Sequence, residues 1–343
     1  TIVYTKLNPT KNQHYISEVE QRLNASNPEA SQKNQRIYQF NLLDRESHLV
    51  ALSDPKGVKI ERNLASNDLF SFDVISNELR FNFEEYFMRY ENTILTNTQR
   101  VLAAIDNLEM RPDKDTQDAY LQIFLGKMLN FVRNPYSMKK VLNTYGQASN
   151  FRPTDPRLTG IYNRILSGHK PHEAYTIQRF NVSKKEYRAW LHTMFMLFAD
   201  LGQERNLFEQ ITQLLFEKKT DFTGIYIYSL SEAHPDKCYL ISDRGYGIPV
   251  PETGTLLGFD FNLNSKAFIR YIFADIGTIT GFDPMHIRNM MERSQKRIRV
   301  TYDSNNMEVT QAYNNHLIYQ CSSSVFGSLP NPYGVKVSNS QDS

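Results

Sequence analysis

Cysteine is nearly missing from this chain: Cys238 and Cys321 are the two in 343 residues. That excludes a disulfide framework, leaves room for one bridge at most, and offers no cysteine-based metal spacing. Free thiols at this density suit a reducing compartment, so a cytoplasmic protein is expected. An excess of one charge is missing too, since 39 Lys and Arg stand against 37 Asp and Glu. A whole-molecule polyanion footprint is thereby excluded, and any nucleic-acid surface has to be a local patch. Long apolar runs are lacking. The greasiest windows, Tyr120–Val132 and Trp190–Gly202, are interrupted by Lys127, and by His192 with Asp200. Both fall short of the roughly 20 apolar residues a bilayer requires, so no membrane association is expected. Thr1–Lys6 contains no run of signal-peptide length. No Gly-x-Ser-x-Gly elbow, Walker loop, His-Glu-x-x-His or Cys–His nucleophile set occurs.

What is present is aromatic: 20 Tyr and 21 Phe against one Trp, which fits a well-buried helical core. The periodicity divides the chain into three parts. Residues 1–79 read as strand-rich, with Arg36–Phe40 alternating and a turn at Asp54–Gly57. Residues 80–220 read as helical, beginning with Phe83, Tyr86, Phe87, Tyr90 and Ile94 at helical spacing. Asn134-Pro135 stops a helix there, and Ser183 with Glu186 three residues on forms a capping box. Residues 221–322 return to strands, with Gly224–Tyr228 and Cys238–Ile241 read as partners, followed by terminal helices over His286–Ile298 and up to about Tyr319. Residues 323–343, rich in Ser, Gly, Pro and Asn, read as a flexible tail. Neither strand region covers its own apolar faces. The expected architecture is therefore α+β: one domain over 1–322, with a central helical block of about 140 residues and strands from both chain ends forming one sheet.

Asn12–Leu23 carries the first candidate chemistry. Read as one helix, it places Tyr15, Ile16, Val19 and Leu23 on an apolar stripe bordered by His14, Glu18 and Arg22. A His and a carboxylate four apart on one face serve either as an acid–base or metal-ligand pair, or as an ordinary helix-surface contact. A metal site needs a further ligand. Asp243, after a strand end and before Arg244-Gly245, is the candidate, with a plain turn as the alternative. Arg133, ahead of Asn134-Pro135, either holds a phosphate or completes the helix C-terminus. Arg288, Arg293, Lys296, Arg297 and Arg299 form a basic run opposed by Glu292 alone, either a nucleic-acid contact or a solvated helix face.

The order of several short motifs resembles a widespread bacterial family of unknown function that opens with Gln-His-Tyr. Here that opening is Gln13-His14-Tyr15. It is followed by Ile37-Tyr38-Gln39-Phe40, Ala65-Ser66-Asn67-Asp68-Leu69-Phe70, Arg133-Asn134-Pro135, Ser242-Asp243 and Ile318-Tyr319. The resemblance implies a role in bacterial conflict or phage defence and imports no established reaction. Together these readings predict a metal-dependent nuclease or toxin-like effector acting on nucleic-acid phosphodiesters. In it His14, Glu18 and Asp243 are catalytic, and Glu18 with Asp243 binds Mg²⁺ or Mn²⁺. Arg133, Arg288, Arg293, Lys296, Arg297 and Arg299 hold the phosphates. The partners are then nucleic acid, bound at the basic patch, and a protein from a defence operon. The alternative is a non-catalytic binding or sensor module in which the same polar motifs are structural.

Overall fold

The computed structural model describes residues 9–76, 79–107, 114–202, 204–217, 221–249, 256–275, 285 and 298–338. The fold is α+β, as the sequence predicts. Where the sequence suggests one domain, the chain forms two compact units, each built from separated segments. The first comprises Thr1–Ser17, Arg62–Arg100 and Asp113–Ile211; the second comprises Glu18–Glu61, Val101–Pro112 and Thr212–Ser343. Among the described residues, no helix is long and apolar enough to cross a membrane.

The first unit is mainly helical. Its helix Lys114–Arg133 ends where Asn134-Pro135 denies the next turn a backbone donor, and the Asn134 side chain accepts from Tyr136 N. The helix Lys184–Phe198 starts with the expected capping box: Glu186 N donates to Ser183 Oγ at 3.1 Å, and Ser183 N donates to Glu186 Oε2 at 2.7 Å. Its apolar side buries Trp190 completely, and the indole N–H donates to the Val132 carbonyl at 2.8 Å. Phe70, Phe87 and Phe198 continue this core by edge-on and tilted ring contacts.

Two short antiparallel pairs border the helices. Asn12–His14 pairs with Ala65–Asn67, and Ser71–Val74 pairs with Arg80–Asn82. The first pair corrects the sequence reading of Asn12–Leu23 as one helix. Asn12–His14 is extended, and helix is confined to Glu18–Arg22. Short apolar runs such as Tyr15-Ile16 suit either conformation. The pairing with Ala65–Asn67, which local sequence cannot reveal, decides it.

The second unit holds a sheet fed by both chain ends. Its strand order is Lys336–Ser338, Leu49–Leu52, Arg36–Asp44, Ser324–Gly327 and Ile241–Ser242, with Val58–Lys59 also pairing with Arg36–Asp44. Ser324–Gly327 and Lys336–Ser338 lie in the stretch read as a flexible tail. Val325 and Phe326 are buried, and that apolar anchor outweighs the turn-rich composition around them. A separate four-stranded sheet runs Leu256–Asn264, Ala267–Asp275, Asp221–Ser229, Ile298–Ser304. Asp221–Ser229 thus pairs with Ala267–Asp275 and, in parallel, with Ile298–Ser304, rather than with the segment around Ile241. The helix Met307–Gln320 contributes Tyr313, Leu317 and Ile318 to a core shared with Phe40, Leu240, Phe268 and Val325. Both cysteines are buried as free thiols. The helix expected over His286–Ile298 lies outside the described residues except for Ile298, which begins the strand Ile298–Ser304.

Candidate functional site

The residues singled out from sequence do not assemble as that reading requires. His14 sits on a strand opposite Ala65, so it shares no helix face with Glu18. Glu18 opens the five-residue helix and pairs with Arg22, whose guanidinium also reaches the Gln32 carbonyl and the Gln35 side chain. Helical spacing was the reason to couple His14 to Glu18, and the strand removes it.

Asp243 is buried and fully engaged. Its carboxylate accepts from the backbone N–H groups of Ser322, Ser323 and Ser324 at 2.7, 2.7 and 3.0 Å, and from the Ser323 hydroxyl at 3.1 Å. Burial pushes its pKa up, against the downward pull of these four donors. The arrangement ties the turn after Ile241–Ser242 to the chain entering Ser324–Gly327. Among the described residues, no group of three or more His, Cys, Asp or Glu side chains is placed to hold a metal ion.

Arg133 is almost wholly buried, donating to Glu91 at 2.7 Å and to Asn130 at 3.1 Å, with its guanidinium over the Phe87 ring. It is an internal ion pair of the first unit, not an exposed phosphate clamp. Glu84 belongs to the same charged group. Burial raises its pKa to about 7, opposed by Arg133 and reinforced by Glu91. In the basic run, Arg299 is exposed on the strand Ile298–Ser304, while Arg288, Arg293, Lys296 and Arg297 lie outside the described residues.

A different set of polar side chains does converge, within the first unit. An open cleft of about 260 Å³ is lined by Asn12, Ala65, Ser66, Asn67, His172, Tyr175 and Arg179. One wall is the strand pair, in which Asn12 lies opposite Asn67 and Gln13 opposite Ser66. The Gln13 side chain, fully buried, locks that wall: it accepts from Phe70 N at 2.5 Å and donates to Ser71 Oγ at 3.0 Å and to the Thr10 carbonyl at 3.1 Å. Two of the motifs picked out in the sequence, Gln13-His14-Tyr15 and Ala65–Phe70, therefore meet here.

The other wall is the helix Glu173–Phe180 and the residue before it. His172, Tyr175 and Arg179 are offset by three and seven positions, which puts them on one helical face. Arg179 donates to Tyr175 Oη at 3.2 Å and lies over the rings of Tyr175 and Phe180. Burial lowers its pKa, but the neighbouring phenols of Tyr15, Tyr175 and Tyr136 outweigh that and hold it above its ordinary value. The cleft wall thus carries a permanent cation.

Behind the cleft lies Asp68. It directly follows the strand Ala65–Asn67 and adopts a left-handed backbone with φ of 51°, a conformation Asp tolerates better than most residues. One carboxylate oxygen, Oδ1, accepts from Arg80 Nε at 2.7 Å and from Ser71 Oγ at 3.0 Å. The other, Oδ2, is buried without a hydrogen bond and faces His172 Nε2 at 3.4 Å. Asp68 and Arg80 are each about 2% exposed, whereas His172 is 33% exposed. A half-exposed imidazole facing a buried carboxylate puts a side chain able to carry protons at the edge of the cleft. The sequence signal for this wall was the spacing of His172, Tyr175 and Arg179. It carries no chemistry until Asp68 arrives from a remote segment.

Compared with protein-family models, with curated proteins and with solved structures, the chain matches none. The geometry of the site therefore carries the functional argument alone.

Proposed function

We propose that the first unit binds a phosphate-bearing molecule in the Asn12–Asn67–His172–Arg179 cleft, and that it acts there as a phosphodiester hydrolase. The observation that carries this reading is the contact of His172 with the buried Asp68 on the same helical face as Arg179. Arg179 supplies a lasting positive charge for a phosphate. His172 is the proton carrier: it takes a proton from an attacking water as the water oxygen bonds phosphorus, then returns a proton to the departing alkoxide. Asp68 Oδ2 faces the imidazole at 3.4 Å, on the side of the ring nitrogen Nε2. The nuclease expectation thereby moves from His14, Glu18 and Asp243 to a different set of residues.

The test is incubation of the purified protein with end-labelled single-stranded RNA and DNA, in Mg²⁺, in Mn²⁺ and in EDTA. Cleavage by the parent that is lost in His172→Ala and in Arg179→Ala supports the proposal. Absence of cleavage under all three conditions, or cleavage unchanged in both variants, sinks it.

A second reading is a binding module without catalysis. The engagement of Asp243 by three backbone amides favours it, because that motif acts as a structural latch. In that case Arg179→Ala weakens phosphate binding while the parent turns nothing over.

A further inference from the structure

The geometry points to a nucleotide as the phosphate-bearing molecule, with its base against Tyr175 and its phosphate at Arg179. The inference rests on the phosphate reading of this cleft and adds the substrate class to it.

Three observations carry it. First, Tyr175 is 51% exposed although it is a large aromatic residue in a concave wall. Arg179 lies toward the ring at 5.8 Å, and the exposed part of an aromatic side chain beside a cation accepts a base by stacking, which tolerates any base. Second, Asn12 and Asn67 are directly opposite one another on the facing strand pair, and both are exposed. A carboxamide presents a donor and an acceptor side by side, the pattern that matches the edge of a nucleobase. Third, the volume of about 260 Å³ lies below the range usual for drug-sized ligands. It suits one nucleotide, whether free or as one residue of a single strand whose neighbours lie outside the open cleft. Tyr175 and Arg179 are one helical turn apart, which places a stacking surface and a phosphate cation side by side. A sugar phosphate without a base has nothing to stack on Tyr175.

Calorimetric titration with AMP, ribose 5-phosphate and a four-residue oligoadenylate tests this in the full chain, with Tyr175→Ala and Tyr175→Phe alongside. The parent is expected to bind AMP at least about 5-fold more tightly than ribose 5-phosphate, the lower end for one stacked base. Tyr175→Ala is expected to erase that preference and Tyr175→Phe to keep it, with thermal unfolding confirming that both are folded. Tighter binding of the oligoadenylate assigns the site to a strand, and tighter binding of AMP assigns it to a free nucleotide. Both results support nucleotide recognition. Equal affinity of the parent for AMP and ribose 5-phosphate, or a preference that survives in Tyr175→Ala, overturns the inference and leaves phosphate binding standing. Binding of none of the three probes overturns both.

Discussion

His172 Nε2 lies 3.4 Å from Asp68 Oδ2, a buried carboxylate oxygen with no hydrogen bond of its own. The opposite oxygen of Asp68 is held by Arg80 and Ser71. One side chain thereby joins a buried ion pair to a half-exposed imidazole at a cleft. Its two oxygens have separable consequences.

The Arg80 side governs stability. Replacing Asp68 with Ala removes the buried carboxylate that accepts from Arg80 Nε and Ser71 Oγ and is expected to destabilise the first unit by about 1.5–3 kcal/mol. Urea unfolding of Asp68→Ala against the parent measures this. A loss below about 1 kcal/mol would show that the pair is not buried as described. The His172 side is different. His172→Ala removes no hydrogen bond from Asp68, so its cost is expected to stay within about 1 kcal/mol.

Glu84 sets a pH dependence of the same unit. Its folded pKa is raised to about 7 from 4.5, so the folded state holds a proton that the unfolded state releases in that interval. Stability from this group is complete below about pH 4.5 and falls as pH rises through 7, by up to roughly 3 kcal/mol in total. Glu84→Gln is expected to flatten the decline. Unfolding midpoints from pH 5 to 8 for both proteins measure it. Parallel pH profiles would contradict the assignment.

Asp243 is predicted to be structural. Asp243→Ala leaves three backbone donors without their acceptor, at a cost of about 3 kcal/mol for the second unit. Calorimetry should show a clear drop in melting temperature. Phosphate binding at low temperature should be unchanged, and its loss in the folded variant would return Asp243 to a functional role.

Local signals in the chain were legible where one stretch settles its own conformation. The Ser183–Glu186 capping box, the stop at Asn134-Pro135 and the extended stretch Arg36–Phe40, the start of the strand Arg36–Asp44, all follow from neighbouring residues. The mixing of both chain ends in one sheet was legible as well, because neither end covers its own apolar faces. Pairing between remote segments was not. Asn12–His14 became a strand through Ala65–Asn67, and Ser324–Gly327 left the expected tail to lie between Arg36–Asp44 and Ile241–Ser242. The candidate site was hidden for the same reason. Gln13 and Asp68 stood in noted motifs, but Tyr175 and Arg179 lie on an eight-residue helix with His172 just ahead of it, and their spacing alone marks them. Their meaning depends on a carboxylate supplied from elsewhere in the chain.

Arg179 bears the positive charge of the cleft, so its removal should act on affinity more than on folding. Arg179→Ala is expected to weaken AMP binding about 10-fold or more with a small change in melting temperature. Arg179→Lys keeps the charge and loses the paired donors, and should fall between the two. Titration calorimetry measures all three. Equal affinities would remove Arg179 from the site.

The most direct test of the central claim is the rate of p-nitrophenolate release from bis(p-nitrophenyl) phosphate by the parent and by His172→Ala, with matched thermal unfolding. The account predicts turnover by the parent and a loss of about 100-fold or more in the variant, the scale of a missing general acid–base. A folded His172→Ala protein that turns over at the parental rate, or a parent that releases nothing, would contradict it.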